Sequence, residues 1–216
     1  MSAREIDLAG ERVLLLAQKA LYWPHASMLV IADIHFGKAA SFRAQGVPVP
    51  RGTTTQNLEG LDALMAIYPT REIVFLGDFL HARAAHASAT VAAMLAWRRR
   101  HPALRLTLVR GNHDMRAGDP SAALGITMVD EPHTVGPFSF CHHPDVAAAG
   151  YVLAGHVHPV YLLASRLDSL RLPCFLVGPT RMILPSFGAF TGGYVISPDV
   201  HERVYVTSGE AMHCVR

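Results

Sequence analysis

The sequence predicts an α/β fold, and three observations carry that prediction. Apolar runs of strand length alternate with helix-patterned stretches through the first half of the chain. Each of these apolar runs gives out on Asp, Asn or His, residues that open loops and bind ligands. Beyond Gly125 the helical pattern stops, and short apolar segments follow one another, separated by Gly, Pro and Asp.

Taken in order, Ser27 to Ala32 is a continuous apolar run ending on Asp33, the pattern of a strand buried on both faces. Thr53 to Tyr68 reads as a helix: Thr53 with Gln56 makes a capping-box pattern, Leu58, Leu61, Met65 and Tyr68 share one face, and Pro69 stops it. Glu72 to Leu76, ending on Asp78, repeats the strand pattern, and Ser88 to His101 is a second helix closed by Pro102. Leu104 to Val109 then leads into Asn112. Strand-helix-strand-helix-strand implies largely parallel strands with functional residues beyond their C-terminal ends. In the second half Phe138 to Cys141 leads into His142 and Tyr151 to Ala154 into His156. Val160 to Leu163, Pro173 to Val177, Arg181 to Leu184, Tyr194 to Ile196 and Val204 to Val206 complete a second, mostly antiparallel sheet.

At 216 residues the chain is long enough to bury a core without disulfides, and no Pro/Gly/Ser-rich linker divides it, so one domain over 1–216 is expected. With 50% hydrophobic and 17% charged residues, intrinsic disorder is excluded. A net charge of +2 is too weak to argue nucleic-acid binding from charge alone. The acidic N-terminus does not read as a secretory signal, and no stretch reaches the roughly 18 apolar residues that span a bilayer, so no membrane is expected. Three scattered cysteines without a CxxC pattern fit a reducing cytoplasm. Thirteen histidines are more telling, because imidazole is the commonest transition-metal ligand.

The chemistry sits in five short stretches: Asp33-Ile34-His35, Gly77-Asp78, Gly111 to Asp114, His142, and Gly155 to His158. Their seven candidate ligands are Asp33, His35, Asp78, Asn112, His142, His156 and His158, all nitrogen or oxygen donors and none a thiol. That set suits manganese, iron or zinc and disfavours a structural zinc on cysteines. Seven side chains are too many for one tetrahedral ion with an open position, so they more naturally serve two divalent ions with a shared carboxylate. Two-metal sites hold their ions roughly 3.5–4 Å apart and clamp both oxygens of an in-line displacement at phosphorus.

The ordered set DxH, GD, GNHD, H and GHxH, spanning residues 33 to 158, resembles the calcineurin-like metallophosphoesterase superfamily. The resemblance implies a four-layer α-β-β-α sandwich with the dimetal site at one edge. It also implies that Asp33, His35 and His158 bind one ion and that Asn112, His142 and His156 bind the other, with Asp78 bridging and manganese the leading metal. His143 stands beside His142 as the alternative ligand. By the same resemblance His113 is the general acid, Asp114 orients or polarises it, and a metal-bridging hydroxide is the nucleophile.

A closer resemblance runs through Gly37 to Phe42, Pro48 to Thr53, Asp78 to Arg83, Gly155 to Pro159 and Phe187 to Gly193. These segments are similar to the bacterial ligase-associated metallophosphoesterases, which accompany an ATP-dependent DNA ligase, a helicase and an exonuclease-like protein. The implied activity is a DNA endonuclease or phosphodiesterase in DNA repair. A small phosphorylated substrate (a nucleotide, cyclic nucleotide or lipid pyrophosphate) and a scaffold role are the alternatives.

Several flanking residues have two readings. His81 and Arg83 follow the bridging aspartate closely enough to reach a phosphate, or line a solvated loop. Lys38, Arg43 and Arg51 follow the first motif and could grip a nucleic-acid backbone, or simply be solvated. Arg98 to Arg100 end the second helix, where cations complement its dipole. Gly188 to Gly193 reads as a turn between strands near the site, and Cys141 as a packed strand residue.

Overall fold

The computed structural model describes residues 2–49, 52–164 and 168–216. Its chain opens with an antiparallel meander, β1 (Ala3–Leu8), β2 (Glu11–Leu16) and β3 (Ala20–Trp23), that pairs onto β4 (Met28–Ala32). The periodicity did not separate these strands from the short apolar run Val13 to Ala17. Their first turn, Ala9-Gly10, has φ of 49° and 83°, the double positive φ that a two-residue hairpin requires.

From β4 the expected alternation follows: α1 (Lys38–Ala44), α2 (Thr53–Ile67), β5 (Glu72–Leu76), α3 (Ser88–Arg100), β6 (Arg105–Val109), α4 (Asn112–Ala117) and β7 (Ile126–Val129). Strands β4 to β7 pair in parallel, completing a seven-stranded sheet in chain order. The helix boundaries differ from expectation in two places. Gly52, in the left-handed region, caps α2 with no side-chain bond, so the Thr53/Gln56 capping box is not formed. Tyr68 turns extended before Pro69, as a residue preceding proline must, and ends the helix one residue early. Helices α1 and α4 are too short to show a period.

The second sheet holds β8 (His133–Val135), β9 (Phe138–Cys141), β10 (Tyr151–Ala154), β11 (Pro159–Ala164), β12 (Ser169–Val177), β13 (Arg181–Ile183), β14 (Tyr194–Val195), β15 (Arg203–Thr207) and β16 (Met212–Cys214). Antiparallel pairings dominate, as expected, but β9, β10 and β13 lie parallel to one another. That local parallel set delivers His142 and Gly155-His156 from neighbouring strand ends.

The continuous apolar runs are buried on both faces because the first sheet is a middle layer. In β4, Leu29 and Ile31 face α2 and α3 with Leu58, Leu61, Met94 and Trp97, whereas Val30 and Ala32 face Phe138, Leu153 and Phe175 of the second sheet. The expected two-sheet sandwich with a helical outer layer is therefore present. Its fourth layer differs in kind: among the described residues all α-helices precede Gly118. The outer face of the second sheet is covered by non-helical segments, with Ile196 and Val215 over Cys174 and Val204, and Val146 and Ala148 over Cys141 and Val152. That face is small enough for loops to bury it. Arg98 donates to the Leu104 carbonyl at 2.8 Å and so closes the end of α3. Among the described residues no helix is long and apolar enough to cross a membrane.

Burial pushes the Cys141 and Cys174 thiols up to about 11 and about 12, while Cys214 is exposed. Thiol titration at neutral pH should therefore count one reactive cysteine per native chain and three after denaturation.

Candidate metal centre

Each ligand stretch begins where a buried strand ends, and the backbone there is forced into an uncommon shape. Asp33, His35, Asp78, His156 and His158 have φ of 51°, 49°, 48°, 70° and 51°, the left-handed region that non-glycine residues avoid. Strain of this kind survives only where surrounding structure holds it, and it clusters at functional sites. Two motif glycines explain how the ends fit together. A Cβ on Gly77 would lie 2.2 Å from His142 Nδ1, and one on Gly155 would lie 2.7 Å from Asp33 Oδ2. The glycine of one motif thus makes room for the ligand of another.

The structure gathers all seven predicted ligands into two adjoining groups. In the first, Asp33, His35, Asp78 and His158 place donor atoms within 4.8 Å of one another, with His35 Nε2 3.4 Å from His158 Nε2 and 3.7 Å from Asp78 Oδ2. In the second, His142 Nε2 lies 2.8 Å from Asn112 Oδ1 and 3.0 Å from His156 Nδ1. Asp78 faces both groups, since its Oδ1 is 3.5 Å from His142 Nε2 while its Oδ2 faces His35. His142, fully buried, is central. His143 turns its Nδ1 to Glu131 at 2.7 Å and keeps its ring against His156.

The protonation pattern calls for cations. Burial holds His35 below the ordinary histidine range, brings His142 down to about 4 and lowers His156, so all three are neutral at pH 7. His142 donates Nδ1–H to the Leu76 carbonyl at 3.0 Å and His158 donates Nδ1–H to the Gly192 carbonyl at 3.1 Å. Both Nε2 atoms then carry lone pairs turned inward. With the Asn112 carbonyl oxygen facing the lone pair of His142 at 2.8 Å, two acceptors meet, an arrangement that a shared cation satisfies. The donor set therefore fits two divalent ions. Burial raises Asp78, and ions of this charge would reverse that effect.

His113 lies beside the first ligand group, and the described hydrogen bonds of Asp114 go to backbone groups. The His113 Nδ1–H donates to the His81 carbonyl at 2.7 Å, its backbone N–H donates to Asp78 Oδ1 at 2.9 Å, and its Nε2 turns inward, 3.9 Å from Asp78 Oδ2. Asp114 instead accepts the N–H groups of Leu80 at 2.9 Å and Gly111 at 3.0 Å, tying the two loops together. As the third residue of α4 its side chain folds back over the helix start, and its described hydrogen bonds go to these two backbone groups.

Of the flanking residues, His81 stacks on His113 with centroids 4.9 Å apart. Lys38 is half-buried and close enough to Asp78 and Asp33 to feel both charges. Arg83 is exposed at the start of a 3-10 turn, and no described contact brings it to the centre. Arg51 lies outside the described residues.

Sequence reasoning missed the residues that lock the loops. Glu131 accepts the N–H groups of both His142 and His143, at 2.7 and 2.9 Å. Ser186 donates to the Asp33 carbonyl at 2.8 Å. Buried Asn57 of α2 donates to the Ile34 carbonyl and accepts from Ala189 N–H, both at 2.9 Å. Lys19 donates to the Phe187 carbonyl at 2.9 Å, and burial lowers its ammonium to about 8. The one legible signal was the glycine-rich segment Gly188 to Gly193, which proves to hold His158 through Gly192.

Asn57→Leu would strand a buried carbonyl and a buried N–H, so urea denaturation should show a loss of about 2–4 kcal/mol. Burial also raises the Asp114 carboxyl to about 6 from 3.8. The native state then holds this proton more tightly than the unfolded chain, so its stabilising effect is full below pH 3.8 and is lost as pH rises through about 6. In EDTA, the stability of wild type relative to Asp114→Asn should fall as pH rises across that window, by up to about 3 kcal/mol. A difference independent of pH would refute the shift.

The model of the calcineurin-like phosphoesterase family matches residues 26–144, more than half of the chain. Along 99% of its length the chain is similar to the whole crystal structure of the nuclease MPE from Pseudomonas putida, with 44% identity, 100% of that chain covered and a TM-score of 0.88. It also matches the protein of unknown function AQ665 from Aquifex aeolicus at 18% identity and a TM-score of 0.40, over 61% of this chain and 78% of that one. A comparison with curated proteins finds no match. Ligand types, their order along the chain and this match agree: the chain belongs to the calcineurin-like phosphoesterase family and is a metal-dependent phosphoesterase.

Proposed function

We propose that this protein is a nuclease that hydrolyses phosphodiester bonds in DNA, using two divalent ions with manganese the leading candidate. The observation that carries the two-ion part is the position of Asp78, whose two oxygens face separate nitrogen groups. The nucleic-acid part is supported by the full-length likeness to the Pseudomonas putida nuclease. Asp33, His35 and His158 would hold one ion, Asn112, His142 and His156 the other, and Asp78 both. When bound, the ions supply Lewis acidity at the phosphate and a water acidic enough to attack phosphorus at neutral pH.

The chain's own residues do the rest. The His81 carbonyl holds the His113 ring with Nε2 inward, where its protonated form can hand a proton to the departing oxygen. Lys38 offers positive charge beside the centre for a non-reacting phosphate oxygen. A role in DNA repair beside an ATP-dependent ligase, a helicase and an exonuclease-like protein, in the cytoplasm, extends this reading and rests on the lineage segments alone. A small phosphorylated substrate is favoured by one observation, the weak net charge of +2.

Incubation of DNA oligonucleotides and a chromogenic phosphodiester with Mn²⁺ should give cleavage that EDTA abolishes. Rapid turnover of a phosphomonoester without any DNA cleavage would overturn the nuclease reading in favour of a small substrate. Asp78→Asn should lower the content of both ions by elemental analysis. His113→Ala should keep both ions and lose about 10²–10⁴ in turnover, most for poor leaving groups. Equal metal loss in the two variants would make His113 a ligand.

A further inference from the structure

A column of rings runs outward from the metal centre. His113 meets His35 edge-on at 5.2 Å, His81 lies on His113 at 4.9 Å and 20°, and Phe42 lies on His81 at 6.0 Å and 16°. Phe190 closes the column, edge-on to Phe42 at 5.8 Å and 88°. Neither phenylalanine belongs to a hydrophobic core cluster of the sandwich. Phe190 stands 36% exposed within the glycine-rich segment that holds His158, and Phe42 is only half-buried. Apolar rings left in water at the mouth of a charged site contribute little to folding.

Their position suits a ligand. The inner end of the column is His113, whose Nε2 turns toward Asp78, and Lys38 lies on the same short helix as Phe42. Cationic groups that track a backbone, combined with aromatic faces that receive bases, are the recurring means of holding an unpaired nucleic-acid strand. A base is tied to its phosphate by one sugar, so a phosphate held at the centre brings a flanking base over the column. A paired base, stacked on both faces, cannot present itself there.

We infer that Phe190, backed by Phe42, is a stacking platform for an unpaired nucleobase flanking the cleaved phosphate, and that it sets preference between substrates. This inference rests on the nuclease reading and adds a subsite to it.

The test uses the full chain with Mn²⁺ and single-stranded oligonucleotides in which the base 5′ or 3′ of the cleaved phosphate is replaced, in turn, by an abasic tetrahydrofuran. Wild type should lose on the order of tenfold in kcat/KM at one of the two positions, mainly through KM, as loss of one base–aromatic stack predicts. Phe190→Ala should show a comparable loss on the intact strand and no further loss on the abasic one, while Phe190→Trp should keep the preference. A wild type indifferent to both missing bases, or a Phe190→Ala variant that still discriminates, would overturn the platform and leave the nuclease reading intact. A wild type that cleaves none of these strands would overturn both.

Discussion

The site depends on one carboxylate that must reach two nitrogen groups at once. Asp78 does so because it follows β5 of the first sheet, whose last carbonyl, Leu76, accepts from His142 at the end of β9 in the second, so that strand ends of both sheets meet there. Parallel pairing on both sides of the sandwich sends ligand loops the same way, and the seam between the sheets brings their donor atoms together. Two buried carboxylates among neutral imidazoles are costly without such ions. The cations that complete the chemistry therefore also relieve an electrostatic cost built into the fold.

Holding that arrangement takes more than the ligands. Five of them sit at positive φ, and the loops that carry them are latched by groups with no chemistry of their own. The Leu76 and Gly192 carbonyls set histidine tautomers, Glu131 gathers the turn after β9, and Asn57 and Ser186 secure the Asp33 loop. Groups of this kind hold donor atoms at bonding geometry before a metal arrives, which lowers the reorganisation that binding demands. Asp114 belongs with them. It follows the general-acid candidate in sequence, yet its contacts are with the backbone of two loops.

The rim of the site is built differently from its centre. The centre is polar and buried, with donor atoms that face one another, whereas the rim carries His81, Phe42 and Phe190 in a column with little support from the core. Centre geometry governs bond cleavage, and a rim of this kind governs which molecule is presented to it. The two can change independently, which is how one phosphoesterase fold accommodates different substrates.

Much of this was legible in the sequence. Strands buried on both faces need unbroken apolar runs, so β4, β5, β6, β9 and β10 and the ligands at their ends could be read from composition and position alone. Helices α2 and α3 were long enough to show their period. Other elements were not: β1 to β3 do not end on a ligand residue, β1 and β2 carry charged residues among their apolar ones, α1 and α4 hold too few residues for periodicity, and the loop cover of the second sheet has no sequence pattern at all. Within the site, residue types determined which atoms could bind a metal, because that is a property of each side chain. The tertiary structure decided which atoms meet, that Asp78 faces both groups, that Asp114 serves the backbone, and that Asn57 and Glu131 matter. Those are contacts between segments far apart in the chain, and only the stacking of two sheets brings them together.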